Sequence, residues 1–538
     1  MSSSLYKISI TDLNPDGNGV GRLPDGRVVF VPCAAPGDVW EVGIIKETAR
    51  YLVGRPETLL SPSPDRVDPE CPYYKRCGGC TFRHISPESE RERKRSIVQN
   101  CFSRIGKLEI EVAPVFETGE SRYRNKVVYP LAVQNGKATF GYYARHTHTV
   151  IPHEDCLSQD ARFAEIASFF VGLAQNRGVT IRDEQTGKGV LRHLAMRKTA
   201  DGRFSLCIIA QKNFAASQEI AHALLEKFPF VTGVALNLNR DPGNVIFGDE
   251  TLTLAGEPVL TDTLCGKTFR ISPASFYQVN HDCAEKLYEK AAELADLQPG
   301  QTLLDLYCGA GTIGLSMIRE GQKLCGVEIV PDAIENAKQN AKANGRTEAD
   351  TLFVCGDASV GVSECRKKFG NPDVIVVDPP RKGLSREVID TLIDVSPRKI
   401  VYVSCDPATL AANCADLTRA GYSLSPAFPF NMFPKTGHVE TVVLLSRKHI
   451  DKTLDFTWTA EGFQNAGSKA TYSAIQAYVK EKFGKNVTTL NIAQTKRKCG
   501  IAERENYNLP KSDAAKQHPC TPQNEAAIMD AFRHFELI

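Results

Sequence analysis

Residues 302–318 read TLLDLYCGAGTIGLSMI. A helical pattern and a Pro299-Gly300 turn precede them. An apolar strand runs to Asp305, a loop carries Gly309 and Gly311, and a helix is expected from about Thr312. Glycines let the backbone approach a ligand closely, and in an open α/β sheet the carboxyl ends of the strands present it. Gly309 to Gly314 satisfies G-x-G-x-x-G, a string too short to name a cofactor by itself. The following strands sharpen the reading. KLCGVEIV ends near Glu328, placed for ribose hydroxyls; TLFVCGDAS reaches Asp357; DVIVVDPPRKG reaches Asp378. Four consecutive strands therefore end in an acid. An acid at the pyrophosphate position disfavours NAD and suits a cationic cofactor; solvated loop carboxylates are the plain alternative. Cys308, inside the glycine loop, reads as a small packed residue.

Strand and helix patterns alternate over 270–447, as in βαβ units. Within them VYVSCDPATLAAN (401–413) is a strand that stops at Ser404-Cys405-Asp406-Pro407. Pro407 lacks an N–H and cannot continue a sheet, so Cys405 stands at the ligand-binding edge. Upstream, 120–265 mixes strands such as KVVYPLAV with helices such as ARFAEIASFFVGLAQ. Residues 88–106, ESERERKRSIVQNCFSRIG, form a basic helix, and LSPSPDRVDPE (60–70) reads as a Pro-rich linker. Residues 1–60 alternate β-branched runs with turns such as PDGNGVGR, the pattern of an OB-like barrel of the kind that grips RNA. After a polar stretch near 448–468 comes a tail, 467–538, with 11 Lys/Arg against 7 Asp/Glu. Its segment TYSAIQAYVKEKFG is an amphipathic helix, and Lys496, Arg497 and Lys498 form a basic cluster near a turn at Gly500. A small α+β, winged-helix-like extension is one reading of it; a packing appendage is the other.

The 538 residues allow three or four domains, and a net charge of +2 excludes a uniformly basic coat protein while leaving room for a local basic groove. The first residues lack an apolar signal segment and no run of 18 apolar residues suggests a membrane span, so a cytoplasmic monomer is expected. Reduced thiols are then the simplest state for the 17 cysteines. CPYYKRCGGC spaces Cys71, Cys77 and Cys80 as C-x5-C-x2-C, a set suited to zinc or an iron–sulfur cluster with one distant fourth ligand. Cys156, in IPHEDCLSQD, is the fourth ligand chosen.

The core pattern resembles the doubly wound S-adenosylmethionine-dependent methyltransferases. Together, the whole series resembles the RNA uracil-5-methyltransferase family, over residues 1 to about 447. The barrel is similar to the TRAM RNA-binding domain, the cysteine set to the [4Fe–4S] ligands of the ribosomal-RNA branch, and SPASFYQVN (272–280), DPPRKG (378–383), SCDPATLAAN (404–413) and HVETVVLL (438–445) to family signatures in order. The resemblance implies a multidomain α/β chain: a TRAM-like barrel (1–60), a mixed α+β central domain with the cluster (61–269), a class I methyltransferase domain (270–447) and the extension (467–538). It implies Cys405 as nucleophile and Glu440 as base. It implies S-adenosylmethionine contacts at Gln278, Tyr307, Thr312, Glu328, Asp357 and Asp378, with Gln278 and Asp378 also able to reach the uracil edge. The expected partner is 23S ribosomal RNA, because the transfer-RNA branch usually lacks cluster and TRAM domain.

The chemistry wants these residue types. Uracil C5 is too weak a nucleophile to attack a methyl sulfonium; a thiolate adding at C6 makes C5 enolate-like. A base must then remove the C5 proton so that the thiol can leave. The target base must be flipped out of folded RNA, and Phe276 is a candidate stacking surface. Arg122, Arg124 and Lys126 in SRYRNKVVY, interleaved with aromatics, suit phosphates and bases; a solvated strand face is their plain alternative, and His438 reads as structural. Three rivals stand against this reading. An adenine amino-methyltransferase would carry D-P-P-Y, where this chain has Arg381. A DNA cytosine enzyme would place its cysteine after Pro, where Ser404 stands. A non-catalytic ribosome-assembly factor would not need Cys405 and Glu440.

Overall fold

Alternation of apolar and polar residues closes the N-terminal strands into a barrel. Leu5–Leu13, Asn18–Arg22, Val28–Pro32, Val39–Glu47 and Leu52–Ser61 pair in the closed order first, second, third, fifth, fourth, around Ile8, Ile10, Val29, Val31, Val42 and Leu52. So small a barrel leaves little room: a Cβ on Gly54 would come 2.2 Å from a Val42 methyl. The computed structural model describes residues 5–447, 472–499 and 520–535, which fall into two compact units, Met1–His449 and Ile450–Ile538.

The 60–70 stretch, expected as a linker, is tied down. Buried Asp38 accepts from Ala35 N (2.6 Å), Ser63 N (2.8 Å) and the Arg66 guanidinium (2.7 Å). Arg66 also donates to Cys33 O. A buried carboxylate with this many donors costs several kcal/mol if its partner is removed, so the segment is part of the barrel's closure.

Next in the first unit is a seven-stranded sheet in the order Glu250–Gly256, Val231–Leu238, Phe204–Ala210, Leu191–Lys198, Lys126–Gln134, Lys137–Tyr143, Val150–Pro152. The apolar faces of Arg162–Asn176 and Ser217–Lys227 cover one side. The other side has a small core of Ala195, Cys207, Ile209 and Ala235 under Ile246 and Phe247.

The third sheet is the α/β layer expected from 270–447. Its order is Thr351–Cys355, Lys323–Glu328, Thr302–Leu306, Val374–Val377, Lys399–Ser404, Glu440–Arg447, Tyr422–Leu424, with Phe428–Phe430 also on the 440–447 strand. The first five run parallel; Glu440–Arg447 is antiparallel to Lys399–Ser404. Chain order reverses between Thr302–Leu306 and Val374–Val377, which opens a crevice at their carboxyl ends. Asp305 lies inside its strand rather than at the end, and is 1% exposed.

Two segments pack elsewhere than the 61–269 and 270–447 division implies. The helix Pro87–Cys101 and its continuation Phe102–Gly106 put Val98 and Phe102 into the core of the third sheet, beside Leu410 and Ala411. Its Lys94, fully buried, pairs with Glu90 at 2.9 Å and donates to Phe433 O at 3.1 Å. The hairpin Leu260–Leu264/Lys267–Ile271, which a boundary at 269/270 would cut, adds Leu264, Phe269 and Ile271 to the same layer. Which core a helix or hairpin joins is a long-range matter that local pattern does not carry.

The described part of the second unit is three helices, Tyr472–Phe483, Thr489–Lys498 and Pro522–His534, around Ile475, Val479, Ile492, Ile528 and Phe532. No strand occurs among its described residues, so the α+β expectation is replaced there by an all-helical unit. Lys498 of the expected basic cluster pairs with Glu525 at 2.6 Å; Gly500 lies outside the described residues. Among the described residues no helix is long and apolar enough to cross a membrane.

Candidate active site

The crevice is built from strand ends and the turns that follow them. Asp305 Oδ2 accepts from Gly314 N at 2.9 Å, while Oδ1 is buried with no partner. Burial, reinforced by Asp378 and Glu328, pushes this carboxyl up to about 8. Only glycine permits the close turn at 314, since a Cβ there would lie 2.7 Å from Asp305 Oδ2. Tyr307 leaves the strand with φ 68°, a left-handed conformation that costs a non-glycine residue about 1 kcal/mol or more and is typical of ligand sites. Glu328 Oε2 accepts from Gly309 N at 3.3 Å, and Oε1 from Ile329 N and Val330 N at 2.8 and 3.1 Å. Thr312 opens the short helix Thr312–Met317, near the buried Tyr288. Gln278 is buried, and its carbonyl accepts from Asn125 Nδ2 at 2.8 Å. Asp357 is exposed and caps the helix Ala358–Phe369 through Ser359 N (2.9 Å) and Val360 N (3.0 Å). That cap is a sufficient local reason for an acid at 357, and it leaves Oδ2 free.

Cys405 is pinned between a strand and a capped helix. The strand Lys399–Ser404 ends beside it; Asp406 then caps Pro407–Arg419 through Ala408 N (2.9 Å) and Thr409 N (3.1 Å), with Pro407 in the first turn. The thiol is half-buried. Burial together with Glu440 and Asp378 pushes it up to about 11, against the pull of Arg381. Glu440 begins the strand that pairs Thr441 with Ser404, which brings its buried carboxyl to the same edge. Burial and Asp378 raise Glu440 to about 8; burial raises Asp378 to about 7. Arg381 Nη2 lies 3.5 Å from His438 Nε2, and burial and that cation lower the histidine. Burial thus favours the neutral forms of Asp305, Asp378, Glu440 and Cys405, with the Arg381 guanidinium acting on Cys405 and Glu440. A cation entering the crevice would favour loss of those protons. Phe276 stands 71% exposed, an unusual state for a large aromatic.

The structure brings the four predicted cysteines together. Cys71, Cys77, Cys80 and Cys156 line one cavity of about 100 Å³. Gly79 N–H donates to Cys77 Sγ (3.3 Å) and Arg83 Nε–H to Cys80 Sγ (3.4 Å). Burial raises the Cys71 thiol and carries Cys77 to about 11. Among the described residues no three or more Cys, His, Asp or Glu side chains converge closely enough for one metal ion.

The basic stretch is engaged by the protein's own groups, with Arg122 exposed and Arg124 and Lys126 half-buried. Arg122 forks onto Asp155 (2.7 Å twice) and donates to Gln159 O (2.8 Å) and Cys156 O (3.2 Å), clamping the loop of the fourth cysteine. Arg124 stacks over Tyr123 and Phe433. Lys126, half-buried, faces Phe247 at 5.4 Å. Three arginines that the fold sets beside these thiols or buries were not chosen from the sequence. Arg381 was in view within DPPRKG but only as a mismatch to D-P-P-Y. Arg83 and Arg197 sit in segments without periodic charge, so nothing local marked them.

Comparison with known proteins assigns the class. The model of the tRNA (uracil-5-)-methyltransferase family matches residues 88–448, and that of the TRAM domain residues 3–56. The chain belongs to the tRNA (uracil-5-)-methyltransferase family. It is an S-adenosylmethionine-dependent RNA methyltransferase. It is 37% identical over 453 residues to an uncharacterized RNA methyltransferase of Clostridium acetobutylicum, covering 83% of this chain and 97% of that one. It is 38% identical over 454 residues to one of Listeria monocytogenes, covering 83% and 99%. Among solved structures it is similar to the Pyrococcus abyssi tRNA (uracil-54, C5)-methyltransferase in complex with S-adenosyl-L-homocysteine, with TM-score 0.65 and 25% identity over 82% of this chain and 100% of that one.

Proposed function

We propose that this enzyme methylates C5 of a uridine in 23S ribosomal RNA through a covalent bond between Cys405 and uracil C6. The observation that carries the reading is the meeting of Cys405, Glu440 and Asp378 at one sheet edge with the Arg381 cation acting on the thiol. Cys405 adds to C6 as a thiolate, and C5 becomes the nucleophile. S-adenosylmethionine, the second substrate, supplies an electrophilic methyl group on a cationic sulfur. That positive charge favours the thiolate and the carboxylates it faces. Glu440, ionised, then takes the C5 proton, and the Cys405 thiolate leaves. Asp305, with one oxygen unpartnered, and Glu328 fit the methionine and ribose portions of the donor. Tyr307, Thr312, Gln278 and Asp378 complete its walls, and the free Oδ2 of Asp357 is left for the adenine. Phe276, exposed beside the crevice, is the stacking surface for the flipped base.

Cys71, Cys77, Cys80 and Cys156 are the residues that would hold a [4Fe–4S] cluster, and their cavity and N–H···S donors fit one. Such a cluster supplies a cross-link between the 71–80 segment and the Cys156 loop. The barrel is read as an RNA grip.

A transfer-RNA target is the second reading. It is favoured by the Pyrococcus enzyme, whose whole chain aligns with 82% of this one, so the first sixty residues alone do not select ribosomal RNA. Mass mapping of ribosomal and transfer RNA from a deletion strain separates them. Loss of 5-methyluridine from a 23S fragment is expected. Loss from transfer RNA alone would move the assignment there, and loss from neither would favour a non-catalytic factor.

A further inference from the structure

Lys126 and Arg197 are direct cross-strand partners in the seven-stranded sheet, and Arg197 is opposite Ser205 on the other side. Arg197 is 3% exposed. Its Nη2 donates to Ser275 O at 2.7 Å, while Nε and Nη1 are buried with no partner. A buried guanidinium with two idle N–H groups costs several kcal/mol unless something accepts from them. No carboxylate does. Asp262, the acid acting on Arg197, already accepts from Ala200 N (3.0 Å), Thr263 N (3.1 Å) and Tyr277 OH (3.3 Å). The charged groups acting on Lys126 are Arg197, another cation, and the Cys207 thiol. Burial lowers both cations, Arg197 to about 10 and Lys126 to about 8, so the pair is held against its electrostatic preference.

These side chains line a cavity of about 10 Å³, with Ser272 and Pro273 at its half-buried rim. That is room for one oxygen atom, not for a whole tetrahedral ion. The ligand must be an anion that inserts one oxygen and keeps its bulk outside. The rim segment runs directly on to exposed Phe276 and buried Gln278, the residues that the proposed function sets against the target base and the methyl donor.

We propose that Arg197 and Lys126 form an anchor for one non-bridging oxygen of an RNA phosphodiester flanking the target uridine. The chain assigns the phosphate to a cross-strand cation pair rather than to the Arg122 clamp. The inference rests on RNA being the substrate. A phosphodiester brings the single negative charge the pair lacks and two lone pairs for the idle N–H groups. It also fixes the strand next to the flipped base, where register matters most.

Arg197→Met and Lys126→Met test it, with S-adenosyl-L-homocysteine binding as the check on folding and unmodified 23S and transfer RNA transcripts as probes. Each variant should bind its RNA about tenfold more weakly at low salt. Each should also lower the slope of log affinity against log salt by about one. The double variant should lose no more slope than either single one, because both cations serve one phosphate. Folded variants with wild-type affinity and slope would overturn the anchor and leave the cavity to a trapped water. If Arg197→Met fails to bind the homocysteine compound, Lys126→Met decides alone. A parent enzyme that binds neither RNA and forms no 5-methyluridine would defeat the underlying reading, whereas an active parent with unchanged variants defeats only the anchor.

Discussion

Two groups of cysteines in this chain meet opposite surroundings. Cys405 faces carboxyls, Glu440 and Asp378, with Arg381 and its own backbone N–H favouring its anion. Of the four thiols of 71–80 and 156, Cys77 and Cys80 accept from the N–H groups of Gly79 and Arg83, and the loop of the fourth is clamped by Arg122. Both environments keep a thiol protonated when no cation is present, Cys405 and Cys77 alike at about 11. The difference lies in what a cation would then meet. Around Cys405, acids stand ready to give up protons to a transient positive charge and to take one back from a substrate. Around the four thiols, donors point at Cys77 and Cys80, the setting that the proposed function reads as a seat for a retained cluster. On that reading, turnover at one site and retention at the other follow from the neighbours of the sulfur.

The comparison breaks most completely at the retained site. Replacing Cys77 with Ser should strip iron from anaerobically purified protein and abolish its brown absorbance, with a lower unfolding midpoint; zinc in place of iron in the parent would overturn the cluster. Glu440→Gln is expected to methylate and then stall, so that release of 5-methyluridine falls by about 10²–10⁴-fold while a methylated RNA–protein complex accumulates on a denaturing gel. Normal release would remove Glu440 from the proton step. Asp155→Asn removes the charge that holds the Arg122 fork while keeping every cysteine and an oxygen for the Cys156 N–H, and should weaken iron retention by about 10-fold or more, read as iron lost to a chelator over time.

The smallest effect concerns pH. Asp378, Glu440 and Asp305 titrate near 7 to 8 in the empty crevice, above the usual range of about 4. The folded protein therefore holds protons that the unfolded chain has released. Their contribution to stability is complete below about pH 4 and is lost as pH rises through 7 to 8. A bound sulfonium favours the ionised forms, so S-adenosylmethionine should gain several-fold in affinity over neutral-sulfur S-adenosyl-L-homocysteine across that window. Calorimetry giving the same ratio at both ends would show that the acids do not face the sulfur.

Much of this was legible locally. LYKISITDL became a strand over the same nine residues, Leu5–Leu13, because its alternation and the following turn leave little choice. The short helix begins at Thr312 as the glycine loop requires. The cysteine grouping followed from spacing plus one distant partner. What escaped was non-local. Nothing near Arg122 announces Asp155, 33 residues away. Nothing near Lys94 announces that it lies in the core against Phe433. Arg197 looks like one polar residue in an ordinary strand until Lys126 is set beside it by register. A charged residue in sequence is a surface residue by default; Lys94 and Arg197 depart from it by burial, and Arg122, though exposed, is held by a partner that only the fold supplies.

The central claim is that Cys405 bonds to C6 of the target uracil. RNA carrying 5-fluorouridine at the mapped position tests it, since fluorine at C5 cannot leave as a proton does. The parent enzyme should form a stable covalent complex, and peptide mapping should place the nucleotide on Cys405, with none formed by Cys405→Ala. An adduct on another cysteine, or full turnover by Cys405→Ala, would contradict the account.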